Sequence, residues 1–170
     1  MDCPLDCEHL REARLHEKPG LPTDIDLPNK DIRLTEDYLR EHDALVAWLA
    51  LALKRSMEKE RAVDWDAREA LDALVRTYRT LESGLIYETR PQNPYAAALQ
   101  ESLKKSVDEL RGKVQEETGM NTLRDADVLA AMVFLQRVEL QYNNGRRRGR
   151  SFLSFLANFF REPAGSAVAL

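Results

Sequence analysis

Two stretches of this sequence gather residue types that can bind or react. The first is Cys3, Cys7, His9 and His16, which places both cysteines of the chain and two of its three histidines within sixteen residues. Thiolate and imidazole are the ligands that Zn(II) takes in tetrahedral sites, and Cys3 and Cys7 share one face if the segment is helical from its start. The set therefore reads as a candidate Zn-binding or redox module. The spacing is not that of a zinc finger, and His9 would point away from Cys7 on a regular helix. The competing reading is a short helix whose small apolar cysteines face the rest of the protein.

The second stretch is Arg146, Arg147, Arg148 and Arg150, followed by a run in which Phe152, Phe155, Leu156, Phe159 and Phe160 recur at helical spacing. One face of a C-terminal helix is then aromatic, while Ser151, Ser154, Asn158 and Arg161 mark the other. Such a face needs a buried destination. Three are open: a groove in the same chain, a partner protein or a second copy of the chain, or a membrane surface where arginines meet anionic headgroups. The arginines could also hold nucleic-acid phosphates, but no aromatic platform interleaves with them and no reading helix is evident. Together with a formal net charge of -4 this argues against nucleic acid as the partner.

Recognisable enzyme chemistry is missing. There is no glycine-rich phosphate loop, no Gly-x-Ser-x-Gly elbow, no His-Glu-x-x-His and no Glu-x-x-His pair of the di-iron kind. Glu41 and His42 are adjacent, so their side chains diverge by about 100° and should not share a ligand, which predicts a surface histidine. Trp48, Trp65, Tyr78 and Tyr87 could line an apolar pocket, but aromatics at helical spacing point first to core. The expectation is a protein without enzymatic activity that works by contact, with the basic and aromatic segment as its interaction element.

The elements that must carry these residues follow from the breakers. Of the 7 prolines, Pro4, Pro19, Pro22 and Pro28 fall before residue 30, and 7 glycines are spread over 170 residues, so the rest of the chain favours long helices. Hydrophobic residues at 44% and charged residues at 32% fit a water-facing fold able to bury a core without disulfides. The longest apolar run, Ala44 to Leu53, is half of what a membrane span needs. With two cysteines and no secretion signal at the start, a cytoplasmic setting is expected.

Residues 1–34 should form an irregular N-terminal segment packed on a bundle spanning 35–162, with 163–170 a flexible tail. Thr35 caps a first helix, acidic in its first turn, that runs to Ala62 and is apolar on several faces, hence the central member. Asp64 or Asp66 caps a second helix through Leu71, Leu74, Tyr78 and Leu85 to Thr89, interrupted only weakly by Gly84. Asn93-Pro94 opens a third that Gly119 ends, and Thr122 with Asp125 opens a fourth that stops at Asn143-Asn144-Gly145. Short connections make consecutive helices antiparallel neighbours, and an all-α, up-and-down bundle of about four long helices with a short amphipathic C-terminal helix results.

Overall fold

The structure, a computed structural model, describes residues 29–120 and 122–160. It is a helical bundle, with six helices and no strand among the described residues. These are α1 (Glu36–Glu41), α2 (Asp43–Glu60), α3 (Asp64–Glu82), α4 (Pro94–Thr118), α5 (Asp125–Tyr142) and α6 (Ser151–Phe159). The Cys3, Cys7, His9 and His16 cluster and the 163–170 tail lie outside the described residues.

The ends of α4 follow the rules that predict them. Asn93 accepts from the Tyr95 N–H at 3.0 Å, Pro94 occupies the first turn where its missing N–H costs nothing, and Gly119 closes the helix at φ 73°. Elsewhere local chemistry is diverted to tertiary contacts. The first long helix is broken at His42 into α1 and α2. His42 is not a surface histidine: its ring stacks on Tyr38 with centroids 4.4 Å apart, and its Nε2 lies 3.5 Å from an Asp127 carboxylate oxygen.

Helix α3 stops at Glu82, not Thr89. Gly84 adopts φ 82°, and the chain beyond it is held by side chains in place of helical bonds. The Thr80 hydroxyl donates to the Tyr87 carbonyl, the Thr89 N–H donates to Thr77 Oγ1, and the Gln100 amide donates to the Thr89 carbonyl. Leu85 consequently faces solvent. At α5, Thr122 and Asp125 do not form a capping pair, because Asp125 is drawn to the Arg111 guanidinium and the helix begins after Arg124.

The buried apolar residues form one contiguous cluster, with Leu49, Leu53, Met57, Leu71, Leu74, Leu99, Leu103, Met132 and Leu135 at its centre. Helices joined by short connections are not the main packing pairs. α2 packs chiefly on α4 and α3 chiefly on α5, with α3 also against α4, whereas the pairs α2–α3 and α4–α5, each joined by a short connection, barely touch. The central member is α5, not the first helix. Eleven of its eighteen residues are buried, against seven of eighteen in α2. α6 closes one side by packing on α2, α3 and α5. No described helix is long and apolar enough to cross a membrane.

Candidate functional site

The arginine run and the aromatic helix that follows it serve different purposes in the fold. Phe152 and Leu156 are fully buried in the bundle of their own chain, so the groove that receives this face lies in cis. Phe155 stacks on Tyr142 at 3.8 Å, and Phe160 is half-buried against the core. Only Phe159 stands out into solvent, 70% exposed, beside an apolar groove of about 310 Å³ whose lining includes Leu34, Leu39, Phe134 and Phe155.

The arginines lie on a constrained loop between α5 and α6. Asn143 Oδ1 accepts from the Gly145 N–H and Asn144 Oδ1 from the Arg146 N–H, both at 3.0 Å, so two successive Asx turns reverse the chain. The Gly149 N–H donates to the Arg146 carbonyl at 3.0 Å. A Cβ at Gly149 would stand 2.2 Å from Asn144 Oδ1, so a larger residue there would displace that oxygen from its bond to the Arg146 N–H.

Asp64 fastens the far end of the loop. Its backbone N–H donates to the Gly149 carbonyl at 2.9 Å, and its carboxylate accepts from the Phe152 and Leu153 N–H groups at 2.9 and 3.2 Å. A residue expected to cap its own helix thus supplies the N-terminal acceptor for α6. Asp66 takes over at α3 by reaching back to the Val63 N–H, and it also accepts from Asn93 at 2.6 Å. Burial pushes the Asp64 carboxyl above the ordinary carboxylate range, opposed by the N–H groups of α6 that point at it.

Between this loop and the first turns of α3 and α4 lies an open cleft of about 1050 Å³. Its arginines are Arg61, Arg68, Arg146, Arg147, Arg148 and Arg150, its aromatics are Trp65 and Tyr95, and its acids are Asp64, Asp66, Glu69 and Glu139. Each acid already has a partner within the fold. Asp64 and Asp66 are occupied as described, Glu69 accepts from the Trp65 indole N–H at 2.7 Å, and Glu139 accepts from Arg68 Nε at 3.0 Å. By contrast, Arg146, Arg147 and Arg148 are exposed and have no acidic partner among the described residues. Arg150 donates to the carbonyl of Arg61, which itself sits in the left-handed region at φ 54°.

Glu139 is the least expected member. It is 1% exposed, and burial pushes its carboxyl up, with the Arg68 guanidinium opposing. One oxygen is bonded to Arg68, while Oε1 is buried without a hydrogen-bond partner among the described residues. Arg68 also lies over the Trp65 ring, 5.1 Å from its centroid, linking aromatic, guanidinium and carboxylate in one array.

Trp65, Tyr95, Arg61, Arg68 and Glu139 escape a reading that takes local segments one at a time, since they come from three separate places in the chain. Two had a signal: Trp65 falls off the Leu71, Leu74, Tyr78 stripe of α3, and Glu139 falls on the core stripe of α5, seven residues after Met132 and four after Leu135. Of the other aromatics, Tyr78 is core and Tyr87 is exposed, while Trp48 is partly buried and donates to the Ser106 carbonyl. No group of acids, histidines and cysteines among the described residues is placed to hold a metal ion. Comparison with known proteins finds no matching family model, no matching curated protein and no matching solved structure.

Proposed function

We propose that this protein is a non-enzymatic helical bundle that works by contact, and that its contact face is the arginine-lined cleft, which receives an anionic group of its partner. The observation that carries this reading is the charge imbalance of the cleft. Each of its four acids has a partner within the fold, Glu139 through one oxygen only, whereas Arg146, Arg147 and Arg148 project from a loop held at both ends. A fixed loop lowers the ordering cost of bringing three guanidinium groups to one ligand. Guanidinium forks bind carboxylate and phosphate in two-point fashion.

Titration with inorganic tripolyphosphate, followed calorimetrically at low and moderate salt, tests it. Wild type should bind with an affinity that falls as salt rises, and the Arg146→Ala, Arg147→Ala, Arg148→Ala variant should lose at least about tenfold, equivalent to about 1.4 kcal/mol. Equal affinity of the two proteins would sink the proposal.

A second contact point is favoured by Phe159, whose exposed ring continues the Tyr142–Phe155 stack beyond the edge of the bundle. This end of α6 offers an apolar anchor to a partner protein or a second copy. Native mass across a concentration series reads it: concentration-dependent association that Phe159→Ser abolishes is expected, and a monomer at every concentration removes the second copy.

A further inference from the structure

Three features of the cleft are left unexplained by anion binding alone. Arginines account for a charge, but not for two half-exposed aromatic rings in the same cleft, Trp65 and Tyr95, each 51% exposed. Nor do they account for Glu139, a carboxylate 1% exposed whose Oε1 has no hydrogen-bond partner among the described residues although Glu139 lines the cleft. A buried acceptor without a donor is costly, and a ligand that brings the donor removes the cost.

Free phosphate brings no donor ring. An acidic peptide would satisfy the arginines, but its rings and its N–H donors sit on separate groups and not on one flat edge. A ligand that uses all three parts carries an anionic group, a flat ring able to stack on an aromatic face, and an N–H donor on the edge of that ring. From this coincidence we infer that the cleft binds a nucleoside phosphate. The base stacks on Trp65, which Arg68 links to Glu139, and donates an amino hydrogen to Glu139 Oε1, while the phosphates lie on Arg146, Arg147 and Arg148.

The parts are already joined. Arg68 covers part of Trp65 at 5.1 Å and donates to Glu139 Oε2 at 3.0 Å, while Oε1 receives no hydrogen bond from the described residues. The cleft, at about 1050 Å³, is of the size that small-molecule and cofactor sites reach. Trp65 Nε1 is engaged with Glu69, so the indole offers its face and not its polar edge.

This inference rests on the reading that the cleft receives an anion, and its test separates the two. ATP, GTP and CTP are compared with inorganic tripolyphosphate, which carries similar charge without a base, on the full chain without added metal. At least one nucleotide should bind about tenfold or more tightly than tripolyphosphate, and Trp65→Ala should bring it down to the tripolyphosphate level. Glu139→Gln gives the sharper sign. It removes a negative charge from the floor, so a purely electrostatic cleft would hold every anion more tightly. If the base donates to Oε1, and the Gln carbonyl stays with Arg68, its amide group meets donor with donor and the nucleotide should weaken while tripolyphosphate holds or gains. Should Glu139→Gln fail to fold, as its melting curve would show, Trp65→Ala carries the test alone. Nucleotides no tighter than tripolyphosphate, or oligoglutamate tighter than every nucleotide, would overturn the nucleoside phosphate and leave the anion cleft standing. No binding of any of these anions would overturn both.

Discussion

Asp64 holds the arginine loop and α6 in place, and removing its side chain should unfasten both. In Asp64→Ala the Phe152 and Leu153 N–H groups lose their acceptor at positions where the side chains are buried, 0% and 9% exposed. A buried polar group left unsatisfied costs about 1–3 kcal/mol, and loss of an N-terminal cap is typically about 1 kcal/mol. Part of this is recovered because burial pushes the Asp64 carboxyl up, so the native state already bears a cost for holding the charge. With two N–H groups affected and part of the cost recovered in this way, a net loss of about 2–4 kcal/mol results. In a chain of this size that corresponds to a fall in Tm of roughly 5–15 °C.

Asp64→Asn keeps one acceptor oxygen and carries no charge to desolvate, so it should lose less than half as much. Urea titration followed by circular dichroism gives the global values, and amide exchange at Phe152 and Leu153 reports whether α6 opens ahead of the bundle. Asp64→Ala within about 0.5 kcal/mol of wild type, the spread of ordinary surface substitutions, would refute the reasoning. If α6 opens locally, exchange at those two amides should accelerate and tripolyphosphate affinity should fall with it.

Phe152→Ala tests the cis packing of the aromatic helix: a fully buried Phe should cost about 3–5 kcal/mol in urea denaturation, and a change under 1 kcal/mol would mean that α6 does not belong to the core. The acids give a pH signature. Asp64 and Glu139 have folded-state pKa values raised chiefly by burial, so each binds its proton more tightly in the folded than in the unfolded chain. Their contribution to stability therefore rises as pH falls from neutral toward the ordinary carboxylate range, and it is lost as pH rises through their elevated values. Asp31 and Glu88, lowered chiefly by hydrogen bonds from Arg79 and Lys104, act oppositely below that range. The wild type should thus lose less Tm between pH 7 and 5 than Glu139→Gln, and identical slopes would count against a buried, titrating Glu139.

What could be read in the sequence was whatever depends on neighbours within a turn or two. The all-helical class followed from breaker positions and apolar spacing, and the Asn93-Pro94 opening and Gly119 stop followed from backbone chemistry that needs no tertiary partner. The errors share one physical cause. Asp64, Asp125 and His42 are competent local capping or surface residues, and each is claimed instead by a group distant in sequence: the N–H groups of α6, Arg111, and Asp127. Tertiary bonds to buried partners outweigh local caps worth about 1 kcal/mol. The central helix differs from the one the sequence points to for a related reason. The longest uninterrupted apolar run lies in α2, whereas α5 takes the central place by also burying Asp127, Gln136, Arg137 and Glu139 with partners drawn from other elements.

The same competition defines the cleft. A charged residue on a core stripe is expensive unless something offsets it, and the fold offsets Glu139 only halfway, through a single bond from Arg68 to one of two oxygens. Around it, the other three acids are satisfied while three loop arginines are not. A bundle selected for stability alone would reverse this, leaving no buried acceptor unpaired and pairing exposed arginines with acids on the adjacent turns. Half-satisfied polar arrays of this kind concentrate where a ligand completes them. In this cleft a half-satisfied carboxylate and unpaired arginines meet, and we expect substitution of the exposed Arg146, Arg147, Arg148 and Trp65 side chains to change binding before it changes fold.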